Sequence, residues 1–443
     1  MNATARAQPP WRFEADGGTL VLLEPSHDLP LVSIVVSLRC GSASDPADKV
    51  GLARIAMRML RRGCEGLSSE QIDFRIDALG AELAVDVSAS TVALHAQVIA
   101  RNLGPFVDLL ARLLGSPVFA DDELQRLKRE TVAEIIESRD SDRVVAQKAL
   151  QRTLFEGHPD SRNAAGTIPT VQAITRQDVL DFYRSRVVRG NIVVGLAGDL
   201  SPEAAPAVVN RLLGGIPPGG AVMEDIADPS MPPGRRLLIV DKPERTQTQI
   251  LIATLGTSVH DDDHIPLVVA NAVFGGTFTS RLMREIRSKR GWAYGASSRA
   301  AIDRRRQAWV LWTFPAASDA APCLKLAVDL AERWTCKGVT PRETKFIQNF
   351  FVRSHAFDID TATKRLHQAL DTELLAFPAN YFTDWVSNVR AVTATSATEA
   401  VRKRISTDDL LAVVVGTASQ VLDPLRSAMD RLGEVTVVPF DVE

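Results

Sequence analysis

The sequence predicts an α+β protein of two homologous domains, each a mostly antiparallel sheet with helices packed on one face. Three observations support this. A Gly- and Pro-rich stretch lies near the middle of the 443 residues, the order of apolar segments before it recurs after it, and each half mixes strand-like with helix-like periodicity. A chain of this length suits two or three domains with sizeable cores.

The middle of the chain carries the strongest boundary signal. The stretch from Gly214 to Gly234 is rich in Gly and Pro, which is typical of a linker. We therefore predict an N-terminal domain over 1–215, a linker over 216–235 and a C-terminal domain over 236–443.

The two halves open in the same way, with an apolar strand, a turn at a proline, a second apolar strand, an acidic loop and an apolar helix. The turn prolines, Pro25 and Pro243, lie 218 positions apart, and Gly198 and Gly416, each following a Val-rich strand, share that offset. One repeated offset indicates a duplicated unit.

Individual segments have the patterns of a strand and of a helix. The run Val193–Leu196 has no polar side chain, as expected of a strand covered on both faces. A helix over Asp121–Ser138 would place one stripe of four side chains against the core: Leu124, Leu127, Thr131 and Ile135.

Composition and sequence pattern argue against several classes of protein. A formal charge of −3 gives no broad attraction to nucleic acid or membranes. No apolar run approaches the ~18 residues of a membrane span. Met1–Pro10 lacks the apolar region of a signal peptide, so a cytoplasmic location is the default expectation, and a periplasmic one stays open if a signal was trimmed. The four cysteines form no C-x-x-C pair and are expected to be buried thiols.

Other motifs are absent or weak. No P-loop, G-x-G-x-x-G or G-x-S-x-G occurs, so nucleotide binding and a serine-hydrolase elbow lack support. The segment His260–His264 encloses three aspartates, and we interpret it as a solvated helix start rather than a metal site. The basic run Arg304–Arg306 is interpreted as a strand-end loop rather than a nucleic-acid patch.

A resemblance to a known family rests on one distinctive segment. Gly275–Leu282, followed by Arg287–Tyr294, is similar to the second-domain signature of insulinase/pitrilysin-type peptidases. In the first half, His158-Pro159 with Gly166-Thr167, then the helix and strand between Asp178 and Asp199, resemble the family in the same order.

The chain departs from the family at its zinc motif. Active members carry H-x-x-E-H on a first-domain helix, where two His grip zinc and the Glu is the general base. Here Arg54 and Arg58 stand at the His positions and Met57 at the Glu position. Guanidinium has no lone pair for a metal, and Met cannot take a proton from water. The resemblance therefore implies no zinc and no other cofactor in this chain.

The third ligand position of the family is retained as Glu134. Acidic residues at 130, 134 and 137 form one helical stripe, and Arg54, Arg58 and Arg61 form a basic one. We predict that Arg54 and Arg58 pair with Glu130 or Glu134. The alternative is two independent solvated faces.

Arg287 and Tyr294 keep the spacing of the family's second-domain Arg/Tyr pair. In the family this pair binds the substrate backbone and helps to stabilise the tetrahedral intermediate. The alternative is a surface Arg beside a half-buried Tyr.

The resemblance thus implies a zinc-free subunit of a heteromeric peptidase, inactive alone. Its partner would be a homologous subunit with H-x-x-E-H and zinc, to which this chain lends Arg287 and Tyr294 around a bound peptide. The alternative is a non-proteolytic core or scaffold protein of a larger assembly, since such members also occur in the family.

Overall fold

The structure is a computed structural model that describes residues 9–222 and 225–442. Most of Met1–Pro10, and Met223 and Glu224 of the predicted linker, lie outside the described residues. The chain forms two compact units. The first contains residues up to Ile135, Arg162–Ile226 and Ala356–Thr383, and the second contains Ile136–Ser161, Ala227–His355 and the residues from Asp384 onward.

The elements of the first half of the chain alternate between strands and helices. The strands are β1 (Trp11–Ala15), β2 (Thr19–Pro25), β3 (Leu31–Leu38), β4 (Gly63–Cys64), β5 (Leu67–Ser68), β6 (Glu82–Val87), β7 (Val92–Ile99) and β8 (Ile192–Gly198). The helices are α1 (Leu52–Met59), α2 (Ser69–Ala78), α3 (Leu103–Gly115), α4 (Asp121–Glu137), α5 (Asp142–Leu154), α6 (Ile168–Ala173), α7 (Arg176–Arg186) and α8 (Ala205–Leu212).

The second half follows a similar order. Its strands are β9 (Arg235–Asp241), β10 (Gln249–Leu255), β11 (Ala296–Ala300), β12 (Ala308–Thr313), β13 (Leu411–Gly416) and β14 (Leu432–Pro439). Its helices are α9 (His264–Asn271), α10 (Ala320–Lys337), α11 (Pro341–Asp358), α12 (Ala362–Leu374), α13 (Trp385–Ala391), α14 (Ala394–Arg404) and α15 (Ala418–Ala428).

The two large sheets confirm the predicted fold class. The first has the order β1-β2-β8-β3-β7-β6 and the second the order β11-β12-β10-β13-β9-β14. Most neighbouring strands are antiparallel, and the parallel pairs are β2 with β8, β9 with β13 and β9 with β14. In the first sheet Pro25 is opposite Gly198, and in the second Asp241 is opposite Gly416, so the repeat seen in the sequence corresponds to equivalent strand pairs.

Each sheet buries its two faces against different helices, as the alternation of strand side chains requires. In the first sheet, Val21 and Leu23 enter the main helical core, whereas Leu22 on the opposite face contacts helix α12. In the second sheet, Leu237 and Ile239 enter the main core, whereas Leu238 and Val240 on the opposite face belong to the same apolar cluster as helix α5.

The compact units therefore differ from the contiguous segments 1–215 and 236–443. Helix α5, from the first half of the chain, belongs to the second unit, and helix α12, from the second half, belongs to the first unit. The physical reason is that both sheets are apolar on two faces. Each half supplies one helix that covers the second face of the other half's sheet.

Three sequence predictions can be compared directly with the coordinates. The stripe from Leu124 to Ile135 on helix α4 is buried, as predicted. All four cysteines are free thiols, but Cys336 is exposed, so the prediction of burial was wrong for that residue. None of the helices within the described ranges is long and apolar enough to cross a membrane.

Candidate functional site: an arginine-filled zinc position and an arginine between two aromatic rings

Helix α1 carries Arg54 and Arg58, and a buried carboxylate fixes its start. Gly51 precedes the helix with φ of 102°, a left-handed conformation that favours glycine. The carboxylate of Asp45 accepts hydrogen bonds from the backbone N–H groups of Gly51 at 2.8 Å and Ala53 at 3.0 Å. Burial raises the pKa of Asp45 to about 6, although these bonds oppose the rise. Asp45 thus satisfies donors that a helix N-terminus leaves unpaired.

The predicted pairing of both arginines with Glu134 is observed in the first unit. Arg58 forms a bidentate pair, with Nη2 to Oε1 at 2.8 Å and Nη1 to Oε2 at 3.1 Å. Arg54 Nη2 donates to the same Oε2 at 2.9 Å. Parallel guanidinium–carboxylate bonds of this kind are among the strongest hydrogen bonds in proteins. Both oxygens of Glu134, which the resemblance places at the third ligand position, are therefore engaged by guanidinium groups.

The remaining members of the two stripes pair differently from the prediction. Glu130 is bound by Arg62, a residue that the sequence analysis did not single out. Arg61 donates to Asp73 at 2.7 Å and to the backbone oxygen of Leu83 at 3.1 Å. The cause is local: residues 60–62 form a 3-10 turn after helix α1, so the helical spacing that aligns positions 54 and 58 no longer applies.

The base position is occupied by a core residue. Met57 is 1% exposed and packs with the apolar face of helix α1 in the main core of the first unit. Two guanidinium groups, a buried thioether and a carboxylate already bonded to both guanidiniums do not fit Zn²⁺, which needs lone-pair donors. These four side chains therefore provide neither a zinc ligand set nor a general base.

Glu134 is held ionised by its partners. Burial opposes its ionisation and is the largest single influence, but the hydrogen bonds from Arg58 and Arg54 outweigh it and lower its pKa below the ordinary 4.5. A carboxylate with a lowered folded-state pKa stabilises the fold above its unfolded pKa. This contribution is lost as the pH falls through the folded pKa.

We expect Glu134→Gln to lower the free energy of unfolding by at most about 1 kcal/mol at neutral pH, because the three side chains are partly exposed and screened by solvent. The difference from the unmodified chain should shrink as the pH falls below the ordinary glutamate range. Urea unfolding at several pH values measures both effects. Exposed Glu137 on the same helix provides the control Glu137→Gln. An equal loss in both variants would contradict a specific role for the pairing.

The second group of site residues lies in the second unit, on an irregular helical turn. Residues Met283–Ser288 form a π-helical turn that carries Arg287, and such turns often occur at functional sites. Gly291 follows this turn; its N–H donates to the backbone oxygen of Arg287 at 3.0 Å and its φ is 66°. The chain then leads into strand β11, with Tyr294 two residues before the strand begins.

The structure brings Arg287 and Tyr294 together through ring stacking. The guanidinium carbon of Arg287 lies 4.3 Å from the centroid of the Tyr294 ring and 4.9 Å from that of Phe278. Both rings are largely exposed, Tyr294 at 76% and Phe278 at 73%. Within the described parts of the chain Arg287 has no carboxylate partner. Its donors are thus oriented by two rings without being neutralised.

Phe278 is a residue that the sequence analysis quoted but did not select. It lies in the same motif, nine positions before Arg287, and the signal was an aromatic residue in an otherwise small and polar segment. The following Arg281 anchors this segment, since its Nε and Nη2 donate to the two oxygens of Glu343 at 2.8 and 2.7 Å. The prediction of a half-buried Tyr, the alternative for Tyr294, does not match its exposure.

The acidic loop before helix α9 differs from expectation in one respect. His264 is buried rather than solvated, bonds Thr257 Oγ1 through Nδ1 at 2.8 Å, and has its pKa lowered to about 4 by burial. The neighbouring carboxylates of Asp261 and Asp263 bind Arg404. The loop is therefore a structural helix start, and across the described ranges no group of three or more His, Cys, Asp and Glu side chains is placed to hold a metal ion.

Comparison with known proteins agrees with these features. The profile of the family described as Insulinase (Peptidase family M16) matches residues 20–168, and that of the Peptidase M16 inactive domain matches residues 173–350. The non-peptidase homolog YmxG of Helicobacter pylori is 22% identical over 397 residues, which cover 89% of this chain and 91% of the relative.

Solved structures have the same fold. A peptidase M16 inactive domain from Pseudomonas fluorescens matches with a TM-score of 0.85 and 23% identity, over 92% of this chain and 98% of that one. A chain of Complex III2 from Candida albicans matches with a TM-score of 0.76 and 13% identity, over 94% and 98%. Together, the two matched profiles, the non-peptidase relative and the shared fold lead to one conclusion: the chain belongs to the insulinase (M16) peptidase family, as an inactive member of it.

Proposed function

We propose that this chain is the zinc-free subunit of a heteromeric peptidase, and that it supplies Arg287 and Tyr294 to a homologous partner that carries H-x-x-E-H and the zinc ion. The substrate is a peptide, and the chemistry is hydrolysis at the partner's metal. This chain contributes hydrogen-bond donors to the peptide and to the oxyanion that develops during attack.

The single observation that carries this proposal is the geometry of Arg287. An arginine between two exposed rings, without a carboxylate partner in the described residues, leaves its N–H groups available to a ligand. A guanidinium that served only packing would be expected to pair with an acidic side chain. The Tyr294 hydroxyl, on an exposed ring beside it, adds a second donor of the kind that suits a developing oxyanion.

The residues at the former zinc position support the proposal that the partner, and not this chain, carries the zinc. Arg54 and Arg58 both pair with Glu134, and Met57 belongs to the core, so these residues provide neither metal ligands nor a general base. Retention of the Arg/Tyr pair without a metal site of its own is what a subunit that acts on a partner's zinc needs.

The rival function is that of a structural subunit without a part in proteolysis. The fold shared with a chain of Complex III2 favours it, because that chain belongs to a large assembly. The two functions make opposite predictions for activity, which a reconstitution experiment can separate.

We expect the full chain to co-purify with an H-x-x-E-H homologue encoded in the same genome, and the complex to cut peptides that neither chain cuts alone. Zinc that resists mild chelation should accompany the homologue and the complex but not the isolated chain. Metal analysis and a peptide digest followed by mass spectrometry measure these outcomes.

A variant that rebuilds the motif, with Arg54→His, Met57→Glu and Arg58→His, is the positive control for the metal assay, because Glu134 is retained as the third ligand. Near-stoichiometric zinc in the unmodified isolated chain would contradict the proposal. So would a homologue whose activity is unchanged by addition of this chain.

A further inference from the structure

Two histidines contact each other in the first unit, on the face of its sheet that helix α12 covers. His95 on strand β7 and His367 on helix α12 have ring centroids 5.5 Å apart, and the ring planes are tilted by 41°. His95 is paired with Val35 of β3, which belongs to the same apolar cluster as Leu366 and Leu370 of α12. Apolar packing thus holds the helix, and with it the second imidazole, beside strand β7.

Neither imidazole uses its nitrogens within the protein. Across the described ranges, no hydrogen bond or ion pair involves the side chain of His95 or His367, although both are partly buried. Polar groups that folding withdraws from water normally find a partner. Burial lowers the pKa of both histidines, so both rings are neutral at physiological pH, and the neutral ring is the form that binds a metal ion.

The distance between the two rings suits one shared ion. Imidazole nitrogens bind a tetrahedral Zn²⁺ at about 2.0 to 2.1 Å, which places the centroids of two such rings about 5 to 6 Å apart. The centroids of His95 and His367 lie within this range before any ion is bound. A small rotation of the side chains is therefore enough to direct one nitrogen of each ring to a common point.

The surroundings of the two rings favour a cation. Ala84 lies opposite His95 on the outermost strand β6, and its methyl side chain leaves room beside the imidazole. Asp86 is the next residue on that face of β6, is exposed, and acts to raise the pKa of His95 against the larger effect of burial. Its negative charge attracts a cation to the site and can hold a water molecule bound to that cation.

We propose that His95 and His367 together bind one exchangeable divalent transition-metal ion of the kind that prefers imidazole, such as Zn²⁺ or Cu²⁺, with water as the remaining ligands. The ion joins strand β7 to helix α12 and stabilises the packing of this helix on the first sheet. The site goes beyond the proposed peptidase function, because it needs neither a partner subunit nor Arg287. Two protein ligands release the ion to a mild chelator, so this proposal and the proposed function fail independently.

The test is isothermal titration calorimetry of the isolated full chain, freed of metal with a chelator, against Zn²⁺. We expect about one ion per chain with a Kd in the micromolar range, and His95→Gln and His367→Gln should each raise this Kd at least about tenfold. His367→Cys is the second variant and should retain binding, because a thiolate is also a zinc ligand. His260→Gln is the matched control: His260 is exposed in the second unit, and its loss should leave the Kd unchanged.

Two further measurements separate a metal site from a structural contact of the rings. Electron paramagnetic resonance with Cu²⁺ should show two nitrogen ligands in the unmodified chain and one in either Gln variant. Zn²⁺ should raise the urea midpoint of the unmodified chain but not that of His367→Gln, because the ion binds only the folded arrangement. Equal Kd values in the unmodified chain and the Gln variants, an equal loss in His260→Gln, or loss of binding in His367→Cys would overturn the proposal.

Discussion

Arg287→Ala is expected to lower the turnover of the reconstituted complex about 100- to 1,000-fold, because one donor to a developing oxyanion is typically worth about 3 to 4 kcal/mol. The guanidinium is oriented before substrate arrives, since it lies between the rings of Tyr294 and Phe278. Its loss should therefore appear mainly in kcat, with assembly and the zinc content of the partner unchanged. Steady-state kinetics with size-exclusion chromatography of the complex measures both.

Tyr294→Phe removes only the hydroxyl group and keeps the ring that stacks on Arg287. We expect a fall in turnover in the same range, and a double variant that loses less than the product of the two, because both donors act on the same group. Arg284→Ala is the matched control, since Arg284 is on the same turn, 57% exposed, and pairs with Glu285. Full activity in the double variant would reduce this chain to a scaffold.

Helices cover both faces of each sheet and not the one face that was predicted, because strands that are apolar throughout must be covered on both sides. The repeat of strands and prolines was sufficient to predict the two sheets themselves. It was not sufficient to predict which helix covers which face. Helix α12 has Leu366, Leu370 and Leu374 on one stripe, and this pattern shows only that the helix packs on something apolar. The exchange of α5 and α12 depends on contacts between residues far apart in sequence, which no local pattern encodes.

In the candidate site, too, some contacts could be predicted from the sequence and others could not. Arg54 and Arg58 could be predicted to share a partner, because positions four apart lie on one face of a helix. Arg62 could not, because it follows the helix in a 3-10 turn. The stacking of Phe278 on Arg287 was also missed, since eight intervening residues, including the first part of a π-helical turn, decide where the two side chains meet.

The basic run Arg304–Arg306 is the clearest case of a partner hidden from the sequence. It was interpreted as a strand-end loop, and it does lie between strands β11 and β12, but Arg305 within it is buried in the second unit. Its Nη2 and Nε donate to the two oxygens of Asp160 at 2.7 and 3.2 Å, and Gln307 Nε2 donates to the same carboxylate at 3.1 Å. The side chains of Arg305 and Asp160 are only 5% and 3% exposed. Asp160 belongs to the segment that carries helix α5, so this pair fastens that segment within the second unit.

Arg305→Met is expected to lower the free energy of unfolding of the second unit by about 3 to 5 kcal/mol, because removal of one partner leaves the other charge buried and unpaired. Methionine keeps much of the apolar stem, so the change acts mainly on charge. Five of the six tryptophans lie in this unit, at positions 292, 309, 312, 334 and 385. Urea unfolding followed by tryptophan fluorescence therefore reports on the affected part of the chain.

The double variant Asp160→Leu with Arg305→Met should recover most of this loss, since two apolar side chains of similar volume often replace a buried ion pair without a net cost. Lys325→Met is the control in the same unit: Lys325 forms ion pairs with Asp329 and Asp430 while 49% exposed, and its loss should leave the transition unchanged. If Arg305→Met behaved like Lys325→Met, the buried pair would contribute nothing to holding α5 in place. If the double variant were as unstable as the single one, the loss would come from packing and not from a stranded carboxylate.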